Sequence, residues 1–132
     1  MVSKSVRQCD VVARYGGEEF IILMPNTELH AACNLTERIR ANVQATQGIT
    51  ISIGVATAEN NETGSDLLSR VDAALYMAKR SGRNCVYLHE GASGRIVGIK
   101  SGERLSSPTV DAAPQEAAVC GVITPEAQAV EA

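Results

Sequence analysis

The feature that most constrains this chain is the stretch "DVVARYGGEEFIILM", Asp10 to Met24, in which two apolar runs flank a Gly-Gly pair and two adjacent glutamates. Glycine supplies the positive φ that a tight primed turn demands, so the spacing predicts a hairpin with Val11–Arg14 antiparallel to Phe20–Leu23. A hairpin of adjacent strands excludes an all-parallel sheet. Downstream, "PNTELHAACNLTERIRANVQA" reads as a helix capped by Asn26 or Thr27, with Leu29, Ala32, Cys33, Thr36, Ile39 and Val43 in one stripe. "ITISIGVA" alternates strictly, which predicts a strand with Ile49, Ile51, Ile53 and Val55 on its one apolar face. "GSDLLSRVDAALYMAKRSG" reads as a second helix, capped by Ser65, ended by Gly82, with Leu68, Val71, Leu75 and Ala78 inward. "NCVYLH" closes as a last strand. The order strand-strand-helix-strand-helix-strand implies the α+β class, with a mixed or antiparallel sheet and helices packed on it.

Length and composition narrow the rest. At 132 residues the chain suits one domain, and its core must come from Ile, Val, Leu and Ala, because there is no Trp and only one Phe. A net charge of -3 gives no general grip on nucleic acid, and no apolar run approaches the roughly 20 residues that span a bilayer. The start does not resemble a signal peptide. Cys9, Cys33, Cys85 and Cys120 are scattered without a CxxC pair, which points to neither zinc nor a disulfide framework but to reduced thiols in the cytoplasm. Composition changes near Gly91 towards Gly, Ala, Ser, Pro and Glu. Residues 1–90 are therefore expected to fold and residues 91–132 to form a mostly disordered tail.

The two glycines have a plain structural use in the turn. Glu18 and Glu19 admit two readings: exposed charge at a loop tip, or carboxylates beside a turn where phosphates can approach bare backbone, as a magnesium-nucleotide site requires. Lys79 and Arg83, four apart near a helix end, likewise either answer the helix dipole or bind anions.

"RYGGEEF", "TISIGVA" and "VDAALYMAKRSGRN", in this order, resemble the GGDEF domain family over roughly Val6 to Leu88. The resemblance implies a palm-like fold and a diguanylate cyclase, which condenses two GTP into cyclic di-GMP, releases pyrophosphate and works as a homodimer. It makes Glu18 the ligand of Mg2+ (or Mn2+) and Glu19 the acid beside it at the reacting centre. It sets Gly16 and Gly17 against the nucleotide, and Lys79 and Arg83 on the terminal phosphates. "RQCD" is similar to the family's inhibitory RxxD site, in which Arg7, Asp10 and Arg38 would bind cyclic di-GMP. An Arg fork suits phosphate or a guanine edge. The alternative is a surface ion pair.

Fifteen residues precede Gly16, and the family's upstream DxDxFK-type strand, with its metal-binding Asp and nearby guanine-reading residues, does not fit in them. The resemblance thus implies a truncated domain without turnover of its own, or a non-catalytic cyclic di-GMP binder. In the palm-like order the missing strand runs between "EFIILM" and "ITISIGVA". Without it those two strands would lack a neighbour, and the chain is expected to be unstable or prone to aggregate.

Overall fold

The computed structural model describes residues 10–16, 19–59, 61–91, 94–100 and 119–127. Arg7, Gly17 and Glu18 lie outside them. The chain forms β1 (Val11–Gly16), β2 (Glu19–Met24), α1 (Leu29–Gln47), β3 (Ile49–Thr57), α2 (Gly64–Arg80), β4 (Val86–His89), β5 (Ile96–Ile99) and β6 (Val119–Ala127). The six strands form one mixed sheet in the order β1-β2-β6-β3-β4-β5. Only β3 and β4 run parallel, joined by α2. This is the expected α+β class.

The hairpin has the expected register: Val11 pairs with Leu23, Val12 with Ile22, Ala13 with Ile21 and Arg14 with Phe20. The register then shifts between Arg14 and Gly16, and Gly16 ends the strand opposite Glu19. Gly16 is thus part of the ladder rather than of the turn. An extra residue on one strand sharpens the local twist and re-aims the chain at the loop.

The helices lie on opposite faces of the sheet. Ile22, Met24, Ile51, Ile53, Val55, Val86 and Leu88 form one core with Ala32, Cys33, Ile39 and Val43 of α1. Ile21 and Ala56 form a second with Leu67, Val71 and Leu75 of α2. The alternation in β3 therefore conceals two buried faces: Ser52 and Ala56 are as inaccessible as Ile53. Small residues fill the second face because α2 comes close. An added Cβ on Gly54 would stand 2.4 Å from the Val71 carbonyl oxygen and 2.5 Å from the Leu75 nitrogen.

Both helix starts differ from expectation. At α1 the cap position is Glu28, without a side-chain cap bond, because Thr27 Oγ1 donates instead to the Pro25 carbonyl at 2.9 Å and Asn26 adopts a φ of 51° in the preceding turn. At α2 the cap is Thr63, whose Oγ1 accepts from the Asp66 N–H at 3.0 Å, and Ser65 is inside the helix. The expected interior stripes hold, with Leu29 and Leu68 partly buried at their edges.

The largest difference is in the segment after Gly91. β5 adds antiparallel to β4, and β6 lies between β2 and β3, antiparallel to both. Richness in Gly, Ala, Ser, Pro and Glu had pointed to a mostly disordered tail over residues 91–132, of which residues 94–100 and 119–127 are described. However, a short extended segment gains hydrogen bonds on both edges when it enters a sheet, and "VCGVI" carries enough apolar residues to do so. The expected bare edges of β2 and β3 are consequently paired.

Beside the start of α2, Arg70 makes a two-pronged bond to Glu62 at 2.6 and 2.7 Å and donates to the Thr57 carbonyl at 2.6 Å. Arg70 holds the Glu62 carboxyl below its usual value. Burial, aided by Arg70, lowers the His89 imidazole from 6.5, against the opposing pull of Glu59 and Glu62. Both folded-state groups bind protons less tightly than their unfolded counterparts. Their stabilisation is therefore full at high pH and lost on acidification, His89 first as pH falls below about 6.5 and Glu62 below about 4.3. Urea midpoints measured against pH should decline below about 6.5, and His89→Gln should flatten that upper part of the decline.

Candidate functional site

Strand alternation places Glu19 on the face it shares with Ile21, which is the face α2 covers. Lys79, one residue before the end of α2, reaches it, with Nζ 3.9 Å from Glu19 Oε1. Both side chains are about one-third accessible, 29% for Lys79 and 35% for Glu19, which leaves the pair open to a ligand. At that distance and exposure it contributes at most about 1 kcal/mol to stability. The structure thus brings together two of the expected site residues, one acid from the hairpin and one cation from the helix.

Arg83 is exposed but is not on the helix with Lys79. The helix ends at Arg80, and Gly82, Arg83 and Asn84 follow with φ of 108°, 64° and 49°. The four-residue spacing is therefore not a helical i,i+4 pair. The Ser81 N–H donates to Met77 O at 2.9 Å and the Arg83 N–H to Ala78 O at 3.0 Å, so the chain wraps back over the last turn. Non-glycine residues resist this left-handed region, and the turn is tied from outside. The Asn84 N–H donates to Ser52 Oγ at 3.2 Å, and Asn84 Oδ1 accepts from Arg40 Nη1 at 2.8 Å.

Arg40 and Glu37 are the residues that sequence reasoning missed. Their side chains are 3% and 6% accessible and joined by bonds of 2.6 and 2.7 Å. The Glu37 carboxylate keeps the guanidinium charged against the cost of burial. Opposite charges at i,i+3 beside the apolar stripe were the available signal.

Of the other expected residues, Gly16 lies at the end of β1, Asp10 is half-buried just before that strand, and Arg38 is exposed on α1. Gly17, Glu18 and Arg7 lie outside the described residues. Among the described residues no three His, Cys, Asp or Glu side chains gather to hold a metal. Among the described residues Glu19 has the Lys79 ammonium group beside it, and Glu18, the expected metal ligand, lies outside them. No helix among the described residues is long and apolar enough to cross a membrane.

Comparison with known proteins shows the family. A family model described as "Diguanylate cyclase, GGDEF domain" matches residues 1–85. The chain is 45% identical over 89 residues to the diguanylate cyclase DgcP of Pseudomonas aeruginosa, a match covering 61% of this chain and 13% of that protein. It is 49% identical over 85 residues to the diguanylate cyclase DgcM of Escherichia coli, covering 61% and 21% respectively. It is 44% identical over 96 residues to the response regulator PleD of Caulobacter vibrioides, covering 64% and 21%. The matches span about a fifth or less of each of these relatives. The family takes GTP as substrate, makes cyclic di-GMP and is generally metal-dependent. With the hairpin, the helix-borne lysine and a family match over most of its length, this chain belongs to the diguanylate cyclase GGDEF domain family.

Proposed function

We propose that this chain is the guanine-nucleotide-handling part of a cytoplasmic diguanylate cyclase domain. In this reading Lys79 and Arg83 hold the terminal phosphates of GTP over the Gly16–Gly17 turn, with Glu18 and Glu19 at the reacting centre of a homodimer. The observation that carries it is the approach of Lys79 to Glu19, which joins the end of α2 to the hairpin. Condensation develops negative charge on the α-phosphate and on departing pyrophosphate, and Lys79 and Arg83 supply positive charge for it. In this reading the chain by itself binds nucleotide without turnover.

Calorimetry with GTP should show binding by the wild type, weakened about 10- to 100-fold by each of Lys79→Ala and Arg83→Ala, as expected for loss of a charge-assisted phosphate bond. Equal affinity in wild type and both variants would refute the assignment. Cyclic di-GMP formation by the wild type, abolished by Glu18→Ala, would refute the lack of turnover. A second titration with cyclic di-GMP tests Arg7, Asp10 and Arg38 as a product-binding set. Arg38 is exposed on α1, and Arg38→Ala should weaken that binding alone.

A further inference from the structure

β6 is the sole link between two parts of the described sheet: the β1-β2 hairpin on one side and β3, β4 and β5 on the other. It pairs with β2 from Phe20 to Met24 and with β3 from Ile49 to Thr57. We infer that the slot between β2 and β3 is a strand-acceptor site, and that its occupant, Val119–Ala127, can equally be supplied by a second copy of this chain.

Three observations carry the inference. First, β6 is the last strand in sequence yet lies in the middle of the sheet, so it enters between strands laid down before it. Second, the segment includes Gly121, opposite Ile22 and Val55, and Pro125, opposite Ile51. Both residues are poor strand formers, and proline offers no N–H to a neighbour. The segment is extended because its neighbours' backbones pair with it, and those backbones do not distinguish one copy's segment from another's. Third, nineteen residues separate Ile99 from Val119, a reach of up to about 60 Å, which exceeds the roughly 13 Å radius of gyration of a domain of 100 residues. The connection therefore does not restrict the strand to its own slot. Such an exchange is distinct from the homodimer in which each cyclase subunit presents one GTP, and it does not depend on the proposed nucleotide site.

The register supplies a test in the full chain. Cys120 is directly opposite Leu23, which is 37% exposed. Directly opposed antiparallel residues are about 4.5–5.5 Å apart at Cα, within disulfide range. Peptide mapping of each link distinguishes it from any made by Cys9, Cys33 or Cys85. In Leu23→Cys, oxidation of dilute protein should link the introduced thiol to Cys120 within one chain. After unfolding in urea, refolding at high concentration and oxidation, the same link should join two chains. Mixed heavy- and light-isotope protein should then give hybrid cross-linked peptides, and Cys120→Ser should abolish them. Absence of any link between position 23 and Cys120 would overturn the occupancy. A link confined to single chains at every concentration would overturn the exchange. Should the variant fail to fold, hydrogen exchange on the wild type decides the occupancy: protection of amides 119–123 comparable to β2 and β3 supports it, and open amides overturn it. Native mass spectrometry of isotope-mixed, refolded wild type reads the exchange, with hybrid dimers supporting it and their absence overturning it.

Discussion

Gly54→Ala is expected to destabilise the chain by about 3 kcal/mol, near the upper end for an overpacked core, and to lower its urea midpoint accordingly. The substitution adds one methyl group on the face that α2 covers. That methyl would meet the Val71 carbonyl oxygen, the Leu75 nitrogen and the Leu75 Cα at 2.4, 2.5 and 3.0 Å. All three are backbone atoms, so no side chain can rotate aside. α2 must move outward as a body, which opens the contacts of Val71 and Leu75 with Ala56 and Ile21. Because α2 also carries Lys79, the same displacement should draw it away from Glu19. Nucleotide binding should therefore weaken along with stability. A midpoint unchanged from wild type would mean that α2 does not pack this closely.

Arg40→Ala should cost about 3–5 kcal/mol, because it leaves Glu37 charged and buried without a partner. It also removes the donor to Asn84 Oδ1, which secures the left-handed turn carrying Arg83. These two consequences can be separated. Replacing both partners, as in Glu37→Leu with Arg40→Leu, removes the uncompensated charge and should restore much of the stability. It does not restore the bond to Asn84. The double variant should thus unfold near the wild-type midpoint yet bind GTP more weakly, with a loss resembling that of Arg83→Ala. Wild-type affinity in a stable double variant would show that Asn84 holds the turn without Arg40.

The hairpin illustrates how much was legible in the sequence. A Gly-Gly pair between two apolar runs leaves few registers, and the four expected pairs from Val11–Leu23 to Arg14–Phe20 are those observed. The interior stripes of both helices were equally legible, since a 3.6-residue period leaves one face for the core. Glu19 and Lys79 stood out as candidate site residues only through the family motifs, because a charged residue near a turn or a helix end has ordinary structural uses. The structure adds that the two meet.

By itself, the sequence determined what depends on local pattern: element type, the hairpin register, the inward faces and the family motifs. Tertiary structure decided what depends on which segments become neighbours. Alternation in β3 could not reveal a second buried face, because that burial comes from α2 reaching over Gly54 and Ala56. Opposite charges at Glu37 and Arg40 carry no local signal of burial, and packing encloses them. The capping residues depended on the turn geometry at Pro25–Asn26 and at Thr63. Most of all, a nine-residue stretch of a Gly-, Ala- and Pro-rich segment became the central strand β6. Its own propensity is mixed, with Val, Ile and Thr beside Gly and Pro, and hydrogen bonds offered on both sides by β2 and β3 order it. Pairing between segments far apart in sequence is a long-range interaction, and no local periodicity encodes it.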